Sequence, residues 1–288
     1  MRTVYLGTSG FAVAVLRRLA DSPHRPQLVV TRPDRRKGRG QRTSPPPVAD
    51  AARELGIELI QPADLHGPES LEAIAAARPD ALVVCAYGAL IKEPLLSDFE
   101  IFNVHPSLLP RWRGAAPIER AIMAGDAETG VAIMRLTAGL DSGPVCLLER
   151  EPIAPDDDFG SLAARLQERG GDLLVRALDE RPPFTAQSEE GVTYAEKIER
   201  DDRLLDPARP AAERERVVRA LRPHIGARVR LSEEEFLGVW AARVAGPDSD
   251  ARLVWEGLEL VEVQPAGGRR MPAADWLRGR GDAPSFVA

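Results

Sequence analysis

Short apolar runs alternate with stretches of helical spacing over the first two-thirds of the chain. Val4, Tyr5 and Leu6 read as a strand leading into Gly7-Thr8-Ser9-Gly10, after which residues 11–19 carry apolar side chains at helical spacing. Residues 27–31 form a second strand, 48–55 a helix, 57–60 a short strand and 70–77 a helix. Residues 80–86, DALVVCA, are apolar almost throughout, the pattern of a strand buried on both faces of a parallel sheet. Strands at 101–104 and 132–136 follow, and an amphipathic helix over 159–178 closes the region. The rhythm predicts an α/β fold: a Rossmann-like, open, mostly parallel sheet with helices on both faces.

The pattern then changes. Asp179-Glu180-Arg181-Pro182-Pro183 opens a polar stretch that runs to Asp202 and reads as a linker. Beyond it, one helix over 213–221 precedes short β-rich pieces at 228–231, 237–244, 253–254 and 258–263, separated by Gly/Pro turns. Such pieces suggest a small C-terminal β-barrel, OB-like in type. The expected organisation is a catalytic domain over 1–179, a linker over 180–202 and a β-barrel domain over 203–288.

With 288 residues and 44% hydrophobic content, the chain can bury the cores of one large or two ordinary domains. No apolar run approaches the ~20 residues needed to span a bilayer, and the N-terminus lacks the apolar core and cleavage site of a signal peptide. Two cysteines, Cys85 and Cys146, make neither a disulfide framework nor a metal cluster. The expectation is a cytoplasmic monomer with no membrane contact and no metal. The net charge of −6 does not advertise a nucleic-acid partner. Its distribution does: residues 32–42, RPDRRKGRGQR, hold Arg32, Arg35, Arg36, Lys37, Arg39 and Arg42 against the single acid Asp34. With Pro33, Gly38 and Gly40 and no periodicity of either kind, this stretch is expected to be a mobile basic loop.

The candidate chemistry lies in Ile101-Phe102-Asn103-Val104-His105-Pro106. Residues two apart on a strand face one side, so Asn103 and His105 point together. Pro106 has no N–H and should end the strand there, leaving both side chains at the carboxyl end, where open α/β sheets place ligands. A second piece, Ala138-Gly139-Leu140-Asp141-Ser142-Gly143, is a glycine-flanked loop carrying one carboxylate. A carboxylate orients a His and stabilises its cation, and an Asn amide can donate to a developing oxyanion. Taken singly, each residue has a structural reading: a His after a strand, an Asn on a neighbouring backbone, an Asp-Ser-Gly turn. Nothing in sequence proximity links Asp141 to the other two. Trp112, between Arg111 and Arg113, could stack on a base or pack a loop. His24 and His66 lie in polar segments with no visible partner. Gly7-Thr8-Ser9-Gly10 lacks the full dinucleotide fingerprint.

Asn103-x-His105 with Ser107-Leu108-Leu109-Pro110 resembles the folate-dependent formyltransferase superfamily. SLLPRWRGAAPI over 107–118 is similar to the branch acting on methionyl-tRNA, as are RPDRRKGRG, AYG at 86–88, GDAETGV at 125–131, GLDSG at 139–143, TYAEK at 193–197 and VQPAGGRRM at 263–271. These matches lie in order over nearly the whole chain. The resemblance implies transfer of a formyl group from 10-formyltetrahydrofolate to the α-amine of initiator methionyl-tRNA. It implies Asn103, His105 and Asp141 as the catalytic set, and Ser107, Leu108, Leu109 and Pro110 as part of the folate site. Arg35, Arg36, Lys37, Arg39 and Arg42 fall in the family's basic loop, which grips the tRNA acceptor end.

Three departures stand out. The tail is short between Val244 and Leu253, Pro223-His224-Ile225-Gly226-Ala227 replaces the usual Pro-Trp-Pro-Gly-Ala, and Pro106 stands where this branch often has a small residue. Competing functions are formyl transfer to an amino sugar or glycinamide ribonucleotide, tRNA binding without catalysis, and a nucleotide-dependent oxidoreductase. The basic loop and the C-terminal domain argue against the first, the catalytic set against the second, and the incomplete glycine fingerprint against the third.

Overall fold

The computed structural model describes residues 1–37, 42–246, 253–280 and 286, without the side chains of Arg36, Lys37 and Arg42. Arg39, and most of the short stretch between Val244 and Leu253, lie outside the described residues.

In chain order the first elements are β1 (Thr3–Gly7), α1 (Gly10–Ala20), β2 (Pro26–Val30), β3 (Arg35–Lys37), β4 (Arg42–Ser44), α2 (Pro47–Glu54), β5 (Glu58–Ile60), α3 (Pro68–Ala76), β6 (Ala81–Cys85), α4 (Leu95–Asp98) and β7 (Ile101–His105). Next come β8 (Arg113–Gly114), α5 (Pro117–Ala124), β9 (Glu128–Arg135), β10 (Val145–Pro152), α6 (Phe159–Glu180) and β11 (Tyr194–Ala195). The remainder is α7 (Ala211–Leu221), β12 (Ala227–Arg230), β13 (Phe236–Val244), β14 (Val254–Trp255), β15 (Leu258–Gln264), β16 (Met271–Pro272) and α8 (Ala273–Arg278). The chain divides into two compact units. One comprises Met1–Gly114, Thr129–Glu151 and Ala163–Tyr194, the other Ala115–Glu128, Pro152–Leu162 and Ala195–Ala288.

The first unit is built on a seven-stranded sheet of order β10-β9-β7-β6-β1-β2-β5. β1 pairs in parallel with β2 and β6, β2 with β5 and β6 with β7, while β9 runs antiparallel to β7. Every residue of β1, β6 and β7 is buried, because helices cover both faces. On one face Val4, Leu6, Leu82, Val84 and Ile101 pack with Ile74 of α3 and Leu95 of α4. On the other, the Tyr5 hydroxyl donates to the Ala12 carbonyl of α1 at 2.6 Å, and Gly170 of α6 lies against Val104 and Val15. The order reverses at β1, so the carboxyl ends of β1 and β6 flank the crevice where such sheets bind ligands.

The basic stretch departs from expectation. Residues 35–37 and 42–44 pair as an antiparallel ladder, Arg35 with Ser44, Arg36 with Thr43 and Lys37 with Arg42. Sequence periodicity misses it because the ladder is held by main-chain groups, and strands of three charged or polar residues carry no apolar face. His24 and His66 also have partners. Buried His24 meets Asp179 at 2.8 Å through Nε2 and the N-terminal amine at 2.7 Å through Nδ1, and His66 Nε2 accepts the Lys92 N–H at 2.9 Å. Their partners lie 155, 23 and 26 positions away, beyond any local pattern.

The second unit holds an antiparallel sheet of order β12-β13-β15-β14, with β16 on β15. Alternation is clear in β12, where Ala227 and Val229 point inward and Arg228 and Arg230 outward. Register shifts around Ala241 let β13 bend, giving the curl of a barrel-like domain. Its core gathers Val218 and Leu221 of α7 with Val229, Leu237, Val239, Leu258 and Val263. Residues from the middle of the chain belong to this unit. Met123 of α5 packs on the core and its carbonyl accepts from Arg216, and Arg120 forms a bidentate pair with Asp202 at 2.9 and 3.0 Å.

Candidate active site

Asn103 and His105 are buried at the carboxyl end of β7, on one side of the strand as their spacing requires. Asp141 arrives from the loop between β9 and β10. Its Oδ1 accepts from Asn103 Nδ2 at 3.4 Å, its Oδ2 stands 3.7 Å from His105 Nδ1, and Oδ2 accepts the Gly114 N–H at 2.9 Å. The loop closes this tightly because residue 143 is glycine: a Cβ there would lie 1.9 Å from the Arg135 carbonyl. The other ring nitrogen, His105 Nε2, is 2.9 Å from the Trp112 carbonyl. A carbonyl only accepts, so this nitrogen carries a proton, and Nδ1 is the one turned to Asp141.

Two of these residues have left-handed backbone, Asp141 at φ +42° and Trp112 at φ +64°. For non-glycine residues this costs about 1–3 kcal/mol each and persists only where surroundings hold it. At Trp112 the restraints are visible. Its N–H donates to Thr193 Oγ1, the next N–H, of Arg113, donates to the Thr193 carbonyl, and both bonds are 2.9 Å. The Arg111 guanidinium stacks over the Trp112 ring at 4.4 Å, whereas Arg113 is buried and bonds Gln187. Arg113 is therefore turned into the protein and away from any nucleic acid.

Ser107 is fully buried, with its hydroxyl donating to the Arg111 carbonyl at 2.7 Å. Leu109 packs into a small cluster with Ala132 and Met134, and Leu108 lies against Gly130. Ser107 and Leu109 thus spend their side chains on the protein, while Leu108 and Pro110 are half-buried.

A cavity of about 370 Å³ opens at the carboxyl edge, lined by Thr8, Ser9, Arg32, Arg35, Tyr87 and Gly88 among others. Thr8 donates to the Tyr87 carbonyl at 2.7 Å and Ser9 caps α1 by accepting from the Ala12 N–H, so both ends of the glycine-flanked loop are engaged. Arg35 reaches this cavity; Arg36, Lys37 and Arg42 lie in the ladder beside it, their side chains not described. Among the described residues, no group of three His, Cys, Asp or Glu is gathered as a metal site. Burial pushes the Cys85 thiol up to about 12 and the half-buried Cys146 thiol up to about 11, so neither is a nucleophile. Gln187 lies outside every motif the sequence offered, and Thr193 and Gly114, though inside the TYAEK and SLLPRWRGAAPI segments, carried no sign of a role; all three hold the site together through bonds distant in the chain.

The doubly wound sheet, with Asn103, His105 and Asp141 gathered at its carboxyl edge, is the framework of a formyl transferase domain by comparison: residues 1–178 match the family model of that description, formyl transferase. The chain belongs to the methionyl-tRNA formyltransferase family. It is 45% identical to the methionyl-tRNA formyltransferase of Halorhodospira halophila, over 97% of this chain and 96% of that protein. Among solved structures, the methionyl-tRNA formyltransferase of Clostridium thermocellum has the same fold, with TM-score 0.60 and 14% identity over 84% of this chain and 93% of that one. So does HypX of Aquifex aeolicus in complex with tetrahydrofolic acid, with TM-score 0.65 and 17% identity over 100% of this chain and 50% of that one. No helix of the described residues is long and apolar enough to cross a membrane.

Proposed function

We propose that this protein formylates initiator methionyl-tRNA, with Asn103, His105 and Asp141 as its catalytic residues and 10-formyltetrahydrofolate as donor. The observation that carries the reading is the convergence of Asn103 Nδ2 and His105 Nδ1 on the Asp141 carboxylate. The methionyl α-amine attacks the formyl carbon. A C–N bond forms, the carbonyl π electrons move to oxygen, and the oxyanion is met by the Asn103 amide and by protonated His105 through Nδ1, which at 3.7 Å from Asp141 is near that carboxylate but outside hydrogen-bond distance of it. One Asn103 N–H is directed at Asp141, which leaves the second for the oxyanion. Collapse breaks the bond to N10 of the folate. N10 takes a proton as the amine loses one, with Asp141 and His105 carrying it. A preorganised donor of this kind supplies about 10²–10³ in kcat.

The folate lies along Ser107, Leu108, Leu109 and Pro110, meeting the main chain and the half-buried Leu108 and Pro110, since Ser107 and Leu109 face inward. The acceptor end of the tRNA meets Arg35, Arg36, Lys37, Arg39 and Arg42. Exposed Arg35 at the rim of the cavity supports this, because Arg suits bidentate phosphate contacts and stacking on exposed bases. Residues 203–288, an OB-like barrel, add tRNA affinity; outward Arg228 and Arg230 on β12 support that role. The protein works as a cytoplasmic monomer, consistent with free thiols and a catalytic set drawn from one chain. The test is formylation with Asp141→Asn and His105→Ala. Both should abolish turnover in folded protein, and retained turnover in either would remove it from the catalytic set.

A further inference from the structure

We propose that Gln187 and Arg113 form a clasp that sets the catalytic geometry, with Gln187 as a positioning residue for the transfer step. This rests on the assignment of His105 and Asp141 above.

The Gln187 amide is fully used. Its Nε2 donates to the carbonyls of Asp141 and Gly143, each at 2.7 Å, and its Oε1 accepts from Arg113 Nε at 3.0 Å and Nη2 at 2.9 Å. It therefore ties the loop that carries Asp141 to the buried Arg113 guanidinium. The residues on either side of Arg113 are the ones that touch the catalytic pair: the Trp112 carbonyl accepts a hydrogen bond from His105 Nε2–H at 2.9 Å, and the Gly114 N–H donates to Asp141 Oδ2 at 2.9 Å. Both catalytic side chains are thus registered against one tripeptide, and Gln187 joins that tripeptide to the loop opposite. Trp112 and Asp141, whose backbones are left-handed, lie at the two ends of the clasp. Strain of that kind relaxes when its restraint is removed, and relaxation would change the 3.7 Å separation of His105 Nδ1 from Asp141.

Gln187 is half-buried and lies on an irregular segment, so replacing it does not open the core. Gln187→Ala removes the whole clasp. Gln187→Glu keeps the volume and the pairing with Arg113 but turns carboxylate oxygens toward two carbonyls, removing the donors. A displacement of about 1 Å at a reacting group costs on the order of 10²-fold. Both variants should therefore lose at least about tenfold in kcat with KM for Met-tRNA and for 10-formyltetrahydrofolate held. Amide exchange at Gly114 should be faster in both. Asp141→Asn, measured alongside, separates the two claims. If Asp141→Asn is inactive and Gln187→Ala and Gln187→Glu keep kcat, the clasp is wrong and the catalytic set stands. If Asp141→Asn is itself active, the catalytic set is wrong. A loss confined to KM, or unchanged exchange at Gly114, would also overturn the clasp.

Discussion

Asn103→Ala separates chemistry from folding at one position. The amide is buried, and its bond to Asp141 Oδ1 is long at 3.4 Å. A bond of that length belongs at the weak end of the about 0.5–1.5 kcal/mol typical of net hydrogen-bond contributions. Asp141 keeps the Gly114 N–H, and its partly exposed side chain lets water replace the lost donor. The stability cost should stay below about 1 kcal/mol, which lowers Tm by no more than roughly 2–4 °C. The kinetic cost should be larger, about 10²–10³ in kcat or 2.7–4 kcal/mol, because the amide meets an oxyanion that exists only during transfer. Formylation of Met-tRNA at saturating 10-formyltetrahydrofolate, with a thermal melt of the same sample, measures both. A kcat close to that of the unaltered protein, at a Tm close to native, would refute the oxyanion role.

Arg35→Ala should raise KM for Met-tRNA, leave KM for the folate in place and flatten the salt dependence by about 0.7–0.9 in slope for each phosphate no longer neutralised; unchanged tRNA kinetics over a salt series would place recognition elsewhere. Hydrogen bonds from Arg120 hold the Asp202 carboxyl below its ordinary range, burial opposing them in part. A depressed carboxylate stabilises the fold above its unfolded pKa and ceases to do so as pH falls through the folded value. Asp202→Asn should therefore destabilise at neutral pH, by about 1 kcal/mol for a partly exposed pair, and the gap should close as denaturation is measured at pH falling below about 4. Both thiols, with values raised to about 12 for Cys85 and about 11 for Cys146, should resist alkylation near pH 8 until the protein is denatured; rapid labelling of native protein would contradict their burial.

The sheet was legible because its central strands are apolar runs of β length between helical stretches, and the strands found at Ala81–Cys85 and Ile101–His105 fall where those runs lie. The side shared by Asn103 and His105 followed from strand geometry alone. Asp141 was a candidate from its glycine-flanked loop, but only resemblance joined it to Asn103, since that link crosses 38 positions of chain. β10 escaped because Val145–Pro152, at the sheet edge, mixes charged and apolar residues without alternation. The roles of Gln187 and Thr193 were hidden for another reason. They sit in a Pro-rich polar stretch that reads as linker, yet side-chain and main-chain bonds to residues 112, 113, 141 and 143 fix them in place. Residues 117–124, not recognised as a helix in the sequence, fell inside the expected 1–179 domain because sequence order cannot show that Met123 packs on a core built mainly from residues beyond 204.

The central claim is tested most directly by incubating the purified protein with formyl-labelled 10-formyltetrahydrofolate and separate acceptors: initiator Met-tRNA, an amino-sugar nucleotide and glycinamide ribonucleotide. The expected result is label in formylmethionyl-tRNA, lost with Asp141→Asn, and none above background in the small amines. Label in a small amine with Met-tRNA left unformylated would contradict the claim.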